Sequence, residues 1–202
     1  MDIFIAGCAR SGTTQFRWLL KGLADTYVAK MEQPAATFDA LKVPQANRVI
    51  KRTEECWRTL PELPEKVFLF YSVRHPYDVL TSTHPKTADK RPYHVTPERW
   101  LVEYRSLKKL RHTQPTRPIF IVKYESMVLA PEVLERQIVQ SLGIPVVIPF
   151  TNPARGRKLF TSSVMKWQKD TERISYLKKL PRYLEKELAE FCEEFGYSVE
   201  LR

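Results

Sequence analysis

Cysteine is scarce and irregularly placed: Cys8, Cys56 and Cys192 are odd in number and lie at no metal-ligand spacing. This excludes a disulfide framework and a zinc cluster and leaves three free thiols. Long apolar runs are also missing. Stretches such as Val67-Phe-Leu-Phe-Tyr71 fall far short of the roughly 20 residues a membrane-spanning helix needs, which excludes a transmembrane protein. The N-terminus carries no basic segment followed by a long apolar one, so no secretory signal is expected and the cytoplasm is the expected compartment. Internal repeats, low-complexity tracts and a linker between domains are absent as well. A single domain over 1–202 follows.

What is present is a core and a charge. Of 202 residues, 43% are hydrophobic and 11% aromatic, well away from the composition of disordered chains. Lys+Arg number 33 against 23 Asp+Glu, a formal charge of +10, which calls for an anionic partner such as a nucleotide or an acidic or polymeric substrate.

Apolar stretches of five or six residues alternate with segments of helical period, the pattern of a three-layer α/β fold with a mostly parallel central sheet flanked by helices. Strands are expected at 3–7, 26–30, 48–51, 67–73 and 119–123. Phe16, Leu19, Leu20 and Leu23 mark one stripe of a helix starting near Gly12. Further helices are expected to open at Pro76, at Pro97 behind a Thr96 cap, at Pro131 with a stop at Gly143, and from about Pro181 to Phe195 with a stop at Gly196. Residues 84–93 and 145–169 show no period and read as long loops that cover a site.

Strand, glycine loop, helix is the order of a phosphate cradle. Gly7-Cys-Ala-Arg-Ser-Gly-Thr-Thr14 has the G-x-x-x-x-G skeleton of a Walker A loop, with Thr13 where the phosphate-binding lysine belongs. The backbone N–H groups of residues 10–14 and the helix behind them form an anion nest, and the charge has moved to Arg10, whose guanidinium forks two oxygens. The strand at 67–73 ends in Arg74 where a Walker system closes on an Asp for Mg²⁺. Lacking both lysine and acidic residue, the loop suits a donor whose transferred group carries less charge than a phosphoryl, a sulfuryl being one such group.

At these residues the chain resembles the sulfotransferases that use 3′-phosphoadenosine 5′-phosphosulfate (PAPS) and release adenosine 3′,5′-bisphosphate (PAP). Residues 3–14 are similar to the family's 5′-phosphosulfate loop. Tyr71-Ser-Val-Arg-His-Pro-Tyr-Asp-Val-Leu-Thr-Ser82 is similar to its 3′-phosphate motif, and Val122-Lys-Tyr-Glu-Ser-Met127 to its Tyr-Glu segment. The arginine form of the loop is closer to the tyrosylprotein and bacterial branch than to the cytosolic small-molecule branch. Ala9 departs from the family's proline before the loop arginine, and His75 from its acidic residue after the 3′-phosphate arginine; neither change removes a charge the donor needs.

The resemblance implies donor contacts from Arg10, Ser11, Gly12, Thr13 and Thr14, and 3′-phosphate contacts from Arg74 and from Ser82, two turns into the following helix. Lys86, the Tyr124 hydroxyl, and Lys166 before Trp167 are implied as further donor contacts, with Arg155, Arg157 and Lys158 as further basic candidates; no metal is implied. Arg74 also has Asp78 in reach as an ordinary ion-pair partner, and Glu125 reads as a structural partner for backbone or arginine. For catalysis the resemblance points to Glu32, just past the second strand, as general base, with Lys51 at a strand end and Arg10 stabilising charge on the leaving oxygen. His84, His94 and His112 read as surface histidines. The acceptor, whether sugar, tyrosine, lipid or small metabolite, stays open. A degenerate P-loop kinase and a basic nucleic-acid-binding module are the rival readings. Thr13 and Arg74 disfavour the first, and the second lacks zinc spacing, RNP-type aromatics and a recognition helix, so no nucleic-acid partner is expected.

Overall fold

The computed structural model describes residues 1–152 and 161–198. Five strands, β1 (Asp2–Gly7), β2 (Thr26–Glu32), β3 (Asn47–Lys51), β4 (Phe68–Val73) and β5 (Ile119–Lys123), form one sheet in the order β2-β3-β1-β4-β5. Every pairing is parallel. Alternation along β1 sorts the core into two layers. Ile3 and Ile5 face one layer, with Phe16, Leu20, Met127 and Ile138; Phe4 and Ala6 face the other, with Trp100, Leu107, Leu188 and Phe191.

Among the described residues the helices are α1 (Thr13–Leu20), α2 (Thr37–Ala40), α3 (Pro76–Leu80), α4 (Pro97–Thr113), α5 (Tyr124–Leu129), α6 (Pro131–Leu142), α7 (Thr171–Leu177) and α8 (Glu185–Phe195). The expected caps form. Thr96 accepts from the Arg99 N–H at 3.2 Å, and Gly143 and Gly196 close α6 and α8 in the left-handed conformation that a Cβ disfavours.

Four expectations need correction. β2 runs on through Glu32, which therefore lies in the strand and not past it, because a register shift after Val28 lets the strand rejoin β3 with Glu32 opposite Lys51. α3 is a short helix ending at Leu80, so Ser82 lies beyond it. The last helix opens with a separate 3-10 turn, Arg182–Leu184, since Pro181 lacks the N–H an α-helix would use there. The covering loop at 145–169 carries 3-10 turns at Thr161–Ser163 and Lys166–Lys169; such turns are too short to leave an apolar period.

At the end of β1 the chain leaves the sheet at Gly7, where φ is 133° and an added Cβ would lie 2.4 Å from the Ser72 carbonyl oxygen. Gly7→Ala is expected to cost roughly 3 kcal/mol from backbone strain and strand displacement. Urea unfolding measures it; a loss below about 1 kcal/mol would mean the β1–β4 junction yields without strain.

Candidate active site

The glycine loop is built by its own short contacts. The Ser11 N–H and hydroxyl both return to the Cys8 carbonyl, at 3.1 and 2.7 Å, so Ser11 closes the turn from inside. Arg10 takes a left-handed backbone, φ 70°, and projects its side chain into a cleft of about 370 Å³ with Thr13 and Thr14 beside it. Gly12 caps α1 with φ 93°, and a Cβ there would meet the Tyr124 ring at 2.6 Å and Met127 at 2.9 Å. The loop thus rests on the Tyr124 ring, and only glycine permits that approach.

Tyr124 also carries Arg74, whose guanidinium carbon lies 4.3 Å from the ring centroid, a cation–π contact. Arg74 is almost fully buried. It donates to the Arg10 carbonyl at 3.2 Å and to the Ser163 carbonyl, and lies 3.4 Å from the Asp78 carboxylate. Arg74 thus has its ordinary ion-pair partner, Asp78, and is also tied to the loop backbone. Ser82 is not the solvated helix serine of the ordinary case. It is fully buried, and its hydroxyl accepts from Arg10 Nε at 3.0 Å, which brings the first two motifs into contact.

Asp78 ties a third segment over this pair, accepting from the Met165 N–H at 2.8 Å and the Trp167 N–H at 3.3 Å. The Tyr124 hydroxyl meets Ser163 Oγ. Residues 163–167 so form a strap across Arg74, with Trp167 against the His75 and Tyr77 rings. Burial first, then Arg74 and Arg173, lower the Lys166 ammonium to about 8. Burial and Arg74 likewise lower Arg10. Glu125 accepts from the His75 N–H at 3.0 Å and the Tyr197 hydroxyl at 2.8 Å; its partners are backbone and tyrosine rather than arginine. Arg155, Arg157, Lys158 and the side chain of Lys86 lie outside the described residues.

On the far side of the cleft Lys51, nearly buried, contacts Glu32, which is half exposed; burial lowers Lys51 and Glu32 opposes that. His84 and His94 are not merely surface histidines: both line this cleft, with ring centroids 4.7 Å apart. Burial, then His84 and Arg99, lower His94 to about 4, so it is neutral at ordinary pH. His112 lies in the last turn of α4, and the cleft lining does not include it.

Two solved structures superpose along nearly the whole chain. The sulfotransferase domain of the Synechococcus PCC 7002 olefin synthase matches with a TM-score of 0.70 and 17% identity over 98% of this chain and 95% of that one. The sulfotransferase domain of the curacin biosynthetic pathway matches with 0.64 and 17% over 98% of each chain. The fold is that of sulfotransferase domains. No protein-family model and no curated protein sequence matches the chain.

Within this sulfotransferase fold the cleft also takes residues that sequence reasoning passed over. Arg52, Glu54, Thr87 and Arg99 line it. Arg52 follows Lys51 directly, and that adjacency was the available signal. Nothing local marks Thr87 or Glu54.

Asp78 holds both the strap and the Arg74 charge with no exposure to water. Asp78→Ala is expected to cost about 3 kcal/mol, the usual loss when one partner of a buried pair is removed, and, by freeing the backbone at Met165 and Trp167, to speed trypsin cleavage after Lys166. Denaturant midpoints and timed proteolysis report the two effects; an unchanged midpoint and a protected strap would contradict this account of Asp78.

Proposed function

We propose that the chain transfers a sulfuryl group from PAPS to an acceptor hydroxyl or amine and releases PAP. The observation that carries this reading is a group of three cations around the loop with a single paired carboxylate. Arg74 is buried beneath the strap, Lys166 is half-buried within it and Arg10 stands exposed at the cleft beside them, and among the described residues Asp78 is the only carboxylate paired with any of the three. Arg74 Nε is buried without a hydrogen-bond partner. A 3′-phosphate and a 5′-phosphosulfate supply the missing negative charge, with the loop amides at the α1 N-terminus as further donors. The donor brings an activated sulfuryl group whose leaving group is a phosphate.

The chemistry then falls to Glu32 and Lys51. The acceptor oxygen attacks sulfur as the bond from sulfur to the bridging phosphate oxygen breaks. Glu32 receives the acceptor proton, and Lys51 and Arg10 stabilise the charge that develops on the phosphate. The strand register that sets Glu32 against Lys51 supports assigning them to one step. The cleft wall beyond them is made of Thr87, His84, His94, Arg99 and Glu54, side chains that hydrogen-bond to a polar acceptor and offer no apolar bed for a steroid or lipid tail.

The deciding experiment is a thermal shift with PAP and with ATP, each in EDTA and in Mg²⁺. PAP is expected to stabilise the chain without metal; a response to ATP plus Mg²⁺ alone would replace this reading with the kinase one. Because Lys166 sits at about 8 against a free value near ~10.4, a bound phosphate raises it again, and PAP binding at about pH 8.5 takes up a proton. Calorimetry in buffers of different ionisation enthalpy measures that uptake, and Lys166→Met should abolish it. Uptake that persists in the variant would place the titrating group elsewhere. Glu32→Ala is expected to lower turnover by about 10²–10⁴ with PAP affinity nearly intact, as read by PAP release and by calorimetry; wild-type turnover would exclude Glu32 as the base.

A further inference from the structure

α4 presents Trp100, Tyr104, Leu107 and Leu110 to the core, and Glu103 stands in the same stripe, 2% exposed. A carboxylate there is expensive to bury, and an apolar pair at such a position commonly serves stability as well as an ion pair does. Its nearer partner is Arg52, equally buried, at 3.0 Å, and Arg99 Nε lies 3.8 Å from the same carboxylate oxygen. The Arg52 guanidinium spans two segments of the cleft: it donates to the Gly7 carbonyl at 2.5 Å, where the anion loop begins, and to the carbonyls of Thr53 and Glu54, just after Lys51. Its own N–H bonds to the Ile5 carbonyl.

We propose that Glu103 is a positioning residue for the transfer chemistry: by holding the Arg52 guanidinium inside the fold, it fixes the distance between the anion loop and the Lys51–Glu32 pair. The inference rests on the transferase reading. Arg52 by itself, without a buried counter-charge, would turn toward water in the cleft and release the Gly7 carbonyl. Burial pushes the Glu103 carboxyl up to about 7, against the pull of Arg52 and Arg99. Tyr71 secures the same turn of α4 from the sheet, its hydroxyl donating to the Glu103 carbonyl at 3.3 Å.

The test compares Glu103→Gln, Glu103→Asp and the double variant Arg52→Met, Glu103→Leu with the wild-type chain. PAP affinity is read by calorimetry, and turnover as PAP released from PAPS with water as acceptor, sulfate being the other product. Glu103→Gln should bind PAP within about threefold of wild type and lose on the order of 10²-fold in turnover, the effect of a small misplacement of reacting groups. Glu103→Asp, which keeps the charge, should recover part of that loss. The double variant should keep its Tm within a few degrees while turnover stays low. Wild-type turnover in Glu103→Gln or in the double variant overturns the proposal, as does a loss of PAP affinity in step with turnover. A wild-type chain that neither binds PAP nor releases it from PAPS overturns the transferase reading and this inference with it.

Discussion

In a parallel sheet every strand ends on the same edge, and this constraint organises the whole molecule. β1 delivers Gly7 and the anion loop, β2 delivers Glu32, β3 Lys51, β4 Arg74 and β5 Tyr124, each at the carboxyl end of its strand. Five chain segments far apart in sequence meet along one edge because their strands run the same way at hydrogen-bonding distance. Ligand sites of open α/β sheets form at this edge for that reason. The two layers of apolar residues that bury the sheet on both faces hold the edge rigid without entering it.

Charge is distributed unevenly over that edge. On the Lys51 side each cation meets a carboxylate: Lys51 with Glu32, Arg52 with Glu103, Arg99 with Glu54. On the loop side Asp78 pairs with Arg74, and neither Arg10 nor Lys166 has a paired carboxylate among the described residues. The net charge of the chain therefore says less than its local balance. The Lys51 side is balanced pair by pair, whereas burial first and the neighbouring Arg74 second lower Arg10 and Lys166 on the other side.

Two side chains couple the motifs mechanically. Tyr124 lies between the Gly12 cap of α1 and the Arg74 guanidinium, so the loop, the β4 end and the β5 end share one contact surface. Asp78 joins the same arginine to the backbone of residues 165 and 167. Both couplings depend on burial, since a carboxylate or a cation–π contact in water is worth far less.

Much of the frame was legible because it depends on short-range pattern. All five strands, the Thr96 cap and the glycine stops were set by hydrophobic period, capping chemistry and positive φ, which neighbouring residues decide between themselves. The glycine loop and the Arg74 motif were likewise legible as local arrangements of donors and charge. The rest was not, because it depends on which distant segments meet. A shift in the pairing of β2 placed Glu32 opposite Lys51; the path of the loop after Ser82 brought His84 and His94 into the cleft; the strap settled on Asp78. Residues 84–93 and 161–169 carry no period that would announce such contacts. By itself the sequence determined an α/β sheet with a glycine loop at its edge, since alternation and turn chemistry are local. Only the tertiary structure decided which charges are paired and which are left over, because the energy of a buried charge is set by the groups that folding packs around it.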